Sequence, residues 1–157
     1  VIFVTVGTQL PFDRLIQYVD TIAPELAEPV FAQIGTNSKY KAKNIETSAL
    51  VNSADFDNLM KDVSLIVGHA GIGTIIAALQ HSKPLVLMPR LAALQEHRND
   101  HQIATVNSLS GRSGIYLAQT EQELRALLLQ KLSPPDATQA AASRDRLITT
   151  VSNYINF

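Results

Sequence analysis

VGHAGIGTIIAALQHSKPLVLMPR, residues 67–90, is the stretch on which the fold turns. The apolar run 63–68 ends at a histidine set among glycines. A helix is expected over 71–81, and a second apolar run, 84–89, ends in Pro-Arg. Runs of about 4–8 apolar residues without polar alternation mark strands buried on both faces. Two such strands joined by a helix form a parallel β-α-β unit.

The same alternation extends outward in both directions. VIFVTV, residues 1–6, reads as a strand. A helix over 11–22 follows, opened by Pro11 and carrying Phe12, Leu15, Ile16 and Val19 at helical spacing. PVFAQIG (29–35) reads as a second strand, 36–47 as a lysine-bearing loop, and ALVNS (49–53) as a third strand. A short helix over 56–62 is expected behind Asp55 as its N-cap. Residues 90–98 read as a loop, 99–109 as a helix capped by Asn99 or Asp100, and 113–118 as a last strand. Thr120 and Glu123 form a capping-box pattern. Pro134 and Pro135 break the chain before a final helix over about 137–155. The expectation is one domain over 1–157: α/β, a doubly wound parallel sheet, Rossmann-like. In such sheets ligands sit outside the carboxyl ends of the strands. Loops 7–10, 35–38, 53–55, 68–74 and 90–102 are therefore where function is sought.

Composition narrows the classes. Of 157 residues, 46% are hydrophobic and 17% charged, an ordinary globular balance. The net charge of -1 argues against nucleic acid as a partner. There is no cysteine, which excludes disulfides and thiolate metal sites and suits a reducing, cytoplasmic setting. No apolar run approaches the ~20 residues of a membrane helix. VIFVTV is too short and uncharged to read as a signal peptide.

Three loops carry candidate chemistry. Gly7, Thr8 and Gln9 turn the chain after the first strand, either as a plain turn or with amides aimed at a ligand. Gly68, Gly71 and Gly73 bracket a helix start, where free amides and the helix dipole favour an anion. Thr74 adds a hydroxyl and His69 a donor that titrates near neutrality. Either these grip a diphosphate or His69 merely caps a strand end. Neither phosphate motif, G-x-x-x-x-G-K-[ST] nor G-x-G-x-x-G, is present, since Ile76 stands where the last glycine belongs. The third loop holds Arg90, Glu96, His97, Asp100, His101 and Gln102. His97 and His101 are four apart, but sugar or phosphate hydrogen bonding is the better use of this set than a metal. His81, at a helix end, reads as structural.

HAGIGTIIAALQHSKPLVLMPR followed by EHRNDHQ (96–102) resembles the C-terminal, nucleotide-sugar-binding half of GT-B glycosyltransferases, the family 28 C-terminal type. IFVTVGTQLPFDRLI (2–16) is similar to the opening of its small single-domain members. Those members include the soluble subunit of a dolichol-linked UDP-GlcNAc transferase and bacterial exopolysaccharide and capsule counterparts. The resemblance implies that Gly7, Thr8 and Gln9 lie near the diphosphate or the acceptor side. It implies that His69, Gly71, Gly73 and Thr74 bind the diphosphate, that His101 and Gln102 face the donor sugar, and that Arg90 flanks the base or ribose. Many relatives carry a glutamate on the helix after the glycine loop to hold the ribose. Ala77 stands there in this chain, leaving Glu96 as a substitute or nucleotide binding weak.

The resulting expectation is the donor-binding subunit of a two-component inverting glycosyltransferase. It would use a UDP-sugar without cofactor or metal, and act on a lipid-linked glycan in polysaccharide synthesis. A membrane-associated partner would supply the acceptor site and the catalytic base, with none in this chain. The chain would be recruited to the cytoplasmic face of the membrane, with 137–157 as a docking helix. The alternatives are a non-catalytic stabilising subunit of that heterodimer and a nucleotide-binding regulatory module.

Overall fold

In the computed structural model, which describes residues 1–96, 101–109, 111–136 and 149, the apolar runs become the strands of one sheet. The elements run β1 (Ile2–Thr5), α1 (Asp13–Ile22), β2 (Val30–Gln33), β3 (Glu46–Ser48), α2 (Ser53–Asp62), β4 (Leu65–His69), α3 (Ile72–Gln80), β5 (Leu85–Met88), α4 (His101–Leu109), β6 (Ile115–Leu117) and α5 (Glu121–Leu128). Every pairing is parallel, in the order β3-β2-β1-β4-β5-β6. This is the doubly wound sheet expected from the sequence.

Strand periodicity divides the core. Ile2 and Val4 of β1 point to one face, against Leu15, Ile16 and Val19 of α1 and Leu124 of α5. Phe3 points to the other, into a cluster with Met60 of α2, Ile75 and Ala78 of α3, and Val106 of α4. Both faces are covered, so β1, β4 and β5 can be apolar throughout. The chain order reverses between β1 and β4, where Thr5 lies level with Gly68 on one side and Gln33 on the other. Connections leave in opposite directions from such a point and open a crevice above it. Among the described residues no helix is long and apolar enough to cross a membrane.

Two local expectations are corrected. The third strand is Glu46–Ser48, inside the segment read as loop, and Ala49–Asn52 is not strand. As an edge strand paired only to β2, β3 keeps two of its three residues exposed and shows no apolar run. The next helix begins at Ser53, because Asn52 rather than Asp55 is the N-cap: the Asn52 side chain accepts from Asp55 N at 2.9 Å. At the other helix the expectation holds, with Thr120 Oγ1 accepting from Glu123 N at 3.1 Å. The Asn99 and Asp100 caps and nearly all of the docking helix 137–157 lie outside the described residues.

The segment between β2 and β3 is strapped to α1 by two carboxylates. Asp13 accepts from Ser38 Oγ at 2.6 Å and Lys39 N at 3.0 Å. Asp20, buried on the inner face of α1, accepts from Asn44 N at 2.7 Å, Tyr40 Oη at 2.8 Å and Lys43 N at 3.0 Å. Burial pushes the Asp20 carboxyl upward, but the hydrogen bonds from Asn44, Tyr40 and Lys43 outweigh it and hold the group below its ordinary range. A depressed carboxylate contributes stability above its unfolded value, about 4, and loses it as pH falls through the folded value. Asp20→Asn should therefore cost about 2–3 kcal/mol at neutral pH. In denaturant titrations between neutrality and acid, the gap between wild type and variant should close as pH drops. An equal gap at every pH contradicts this role.

Candidate functional site

At the reversal point the turn residues meet. β4 delivers His69 and then Gly71, which is the N-cap of α3 and brings no side-chain cap to it. The leading amides of a helix have no acceptor within it, so those of α3 are left for a partner from outside the helix. They open into a cavity of about 720 Å³ above the carboxyl ends of β1 and β4.

The glycines there do different jobs. Gly7 has φ +77°, the left-handed region where glycine alone is unstrained, and a Cβ on it would stand 3.0 Å from His69 Cε1. A Cβ on Gly71 would stand 2.1 Å from His69 Nε2. The imidazole thus fits against the start of α3 because Gly71 lacks a side chain, and it lies close against the bare Cα of Gly7 on the other side. Gly68 lets Thr74 approach, since a Cβ there would meet Thr74 Cγ2 at 2.7 Å. Gly73 is different: a Cβ there would meet nothing within 4 Å. It is exposed, on the first turn of α3, and lines the cavity. Among the described residues no atom requires glycine at that position.

Of the residues singled out in the sequence, Gly7, Thr8, Gln9, His69, Gly71, Gly73, Thr74, Arg90 and Gln102 all line this cavity. Arg90 lies in its wall as a clasp. Nearly fully buried, it donates through Nη2 to the carbonyls of Val6 and Leu10, on either side of the Gly7-Thr8-Gln9 turn. Its backbone N–H donates to Gln102 Oε1 at 2.9 Å. Its Nε is a buried donor with no acceptor among the described residues. Burial lowers the Arg90 pKa to about 10, against the pull of Glu96, so the group remains a cation at neutral pH.

Glu96 stands outside the cavity. Its carboxylate accepts from Arg14 Nε and Nη2, both at 2.9 Å, and from Leu91 N at 3.1 Å. Arg14 Nη2 also donates to the Pro89 carbonyl at 3.2 Å, and its hydrogen bonds with Glu96 raise its pKa. This pair fastens the loop after β5 to α1 and holds the carboxylate against Arg14, away from the cavity lining. Of His101 the described residues give only its place, first in α4. His81 is the C-cap of α3 and meets Phe56 edge to face, centroids 6.2 Å apart.

One organising residue escaped the sequence reading. Gln33, buried at the end of β2, donates to the Gly7 carbonyl at 3.1 Å and accepts from Val51 N at 2.9 Å. It ties the turns after β1 and β3 together. The available signal was a polar residue closing the apolar run PVFAQIG.

The family model described as the glycosyltransferase family 28 C-terminal domain matches residues 1–153. Solved structures agree with the fold. The glycotransferase of kitacinnamycin is 17% identical with a TM-score of 0.66, over 95% of this chain and 39% of that one. ALG13, solved in solution by NMR, is 20% identical with a TM-score of 0.55, over 87% of this chain and 89% of that one. VinC, a glycosyltransferase solved in complex with dTDP, is 16% identical with a TM-score of 0.56, over 99% of this chain and 40% of that one. This chain thus spans about two fifths of the length of the kitacinnamycin and VinC proteins. No curated protein matches the sequence.

The two glycines of the HAGIG turn should separate stability from binding. Gly73→Ala fills open space in a helix and should raise stability by about 0.5 kcal/mol. If a nucleoside diphosphate such as UDP binds at this turn, the added methyl should weaken it at least ~10-fold, since it occupies the approach to the amides. Gly71→Ala should displace His69 and cost about 1–3 kcal/mol. Thermal melts with and without UDP check both. A stabilised Gly73→Ala that keeps wild-type affinity removes the argument for a ligand at that turn.

Proposed function

We propose, from the premise that the chain belongs to the family of the glycosyltransferase family 28 C-terminal domain, that it is the donor-binding subunit of an inverting glycosyltransferase that uses a UDP-sugar. The observation that carries this is the uncapped start of α3, with Gly73 open to the cavity and His69 beside it. Backbone amides at a helix N-terminus suit a diphosphate. They matter most when the sugar leaves, because negative charge then accumulates on the departing phosphate oxygen.

The chemistry divides between two sides of a cleft. An acceptor hydroxyl attacks the anomeric carbon from the face opposite the diphosphate. The new C–O bond forms as the bond to the diphosphate oxygen breaks, and the hydroxyl proton passes to a general base. This chain supplies the leaving-group side: the amides of α3, the helix dipole, Thr74 and a His69 donor. Arg90 acts one step back, by fixing the Val6–Leu10 turn through its carbonyls. Among the described residues no carboxylate lines the cavity. In this reading the base and the acceptor site lie on a membrane-associated partner, the acceptor is a lipid-linked glycan of polysaccharide synthesis, and the chain works at the cytoplasmic face. The sequence resemblance to single-domain members supports this reading. So does the match to ALG13 over most of both chains.

The test is reconstitution of the chain with its co-purified membrane-associated partner, following UDP release with a UDP-sugar and a lipid-linked acceptor. The pair should turn over and the lone chain should not. His69→Ala in the pair should lower kcat at least ~100-fold, the scale for loss of one leaving-group donor. Full activity of His69→Ala, or of the chain alone, contradicts the proposal.

A further inference from the structure

At the end of the sheet opposite β6, β3 is paired to β2 alone. On the β2 side the Ser48 carbonyl accepts from Ile34 N at 2.9 Å. The ladder groups of a strand face its two sides at alternate residues, so the N–H and C=O of Thr47 face outward. Thr47 is exposed, and outward ladder groups are a template for one more strand.

Behind this edge lies a groove of about 550 Å³ between β2, β3 and α2. Phe31 of β2, Leu59 of α2, and Leu50 and Val51 from the connection between β3 and α2 give it an apolar lining. Leu50 is 49% exposed, and the other three are half-buried. Phe31 is stacked on Phe3, centroids 6.2 Å apart, which fixes its ring. Glu46 of β3 and Asp55 and Asp62 of α2 also line the groove, and among the described residues no lysine or arginine does. Lys61 stands outside the lining and donates to Asn58 Oδ1 at 3.1 Å. Lys39 and Lys43 belong to the segment strapped to α1, on the opposite face of the sheet. A charge suffices to blunt an exposed edge. A half-exposed leucine beside an apolar groove does nothing for that purpose, but it offers an anchor to an incoming side chain.

We infer that the β3 edge and its groove are a docking surface for an extended segment of a partner protein, with a large apolar residue flanked by lysine or arginine on one face. The main chain of that segment pairs with Thr47. Its apolar side chain covers Leu50 and Phe31, and its cations meet Glu46, Asp55 and Asp62. Main-chain bonds supply affinity in such strand addition, alternate side chains supply specificity, and opposite charges fix the register. The inference is independent of what fills the cavity above β1 and β4.

The test follows backbone amide shifts of the full chain by NMR as the capped heptapeptide TKTLTKT is added, with TETLTET as the control. The largest changes should fall on Glu46, Thr47 and Leu50, with none at Gly73. The control should bind at least ~10-fold more weakly. Thr47→Pro removes the outward N–H at a place where an edge strand tolerates proline, and should weaken the peptide about fivefold. Glu46→Gln should weaken it about threefold while UDP affinity stays at the wild-type value. Equal binding of the two peptides, shifts that avoid Thr47, or no binding overturns the inference and leaves donor binding intact. Self-association that perturbs Thr47 without peptide also overturns it, since the edge then belongs to a second copy. Glu46→Gln and the control peptide decide if Thr47→Pro does not fold.

Discussion

The site depends on the space that two glycines leave for one imidazole. His69 ends β4 and its ring lies between Gly7 and Gly71: a Cβ on Gly71 would collide with it, and one on Gly7 would press against it at 3.0 Å on a backbone whose φ of +77° already favours glycine. The turn after β1 and the entry to α3 are thereby packed through a single side chain, at the one place where the sheet order reverses. Interiors packed to this density transmit such a constraint rather than absorb it. The direction of the α3 amides is therefore set by the same contact that shapes the opposite wall of the cavity.

Polar groups from other elements then hold that arrangement. Gln33 reaches the Gly7 carbonyl from β2, and Arg90 reaches the Val6 and Leu10 carbonyls from the end of β5. Arg14 and Glu96 secure the loop after β5 from below. Each is a side chain satisfying backbone groups that a turn leaves unpaired, which is how irregular segments can be buried at all. The division of labour follows: the charged side chains of Arg14, Arg90 and Glu96 are used within the protein, while the start of α3 has no capping side chain. Arg90 both lines the cavity and clasps the turn after β1, whereas Glu96, also read from the sequence as a candidate ligand, stands outside the cavity and pairs with Arg14.

What the sequence made legible tracks the range of the interaction. β1, β4 and β5 could be read because burial on both faces leaves an uninterrupted apolar run. The HAGIGT turn could be read because glycines next to a helix start are a local signal, and nine of the eleven site residues it and its neighbours suggested line one cavity. β3 could not, because an edge strand with one neighbour has no need of apolar side chains. The Arg14–Glu96 pair joins residues 82 positions apart, and no local pattern announces it. Asp20 and Gln33 left a fainter trace, each a polar residue on an otherwise apolar face. The open space around Gly73 is visible only in the structure.

Donor binding at the start of α3 is decided by where a nucleoside diphosphate puts its phosphates. A crystal structure of the chain with UDP is the most direct measurement. Diphosphate oxygens within about 3 Å of the Gly73 and Thr74 backbone nitrogens, and against the His69 ring, are the expected result. A diphosphate bound elsewhere, with those amides facing only water, would contradict it.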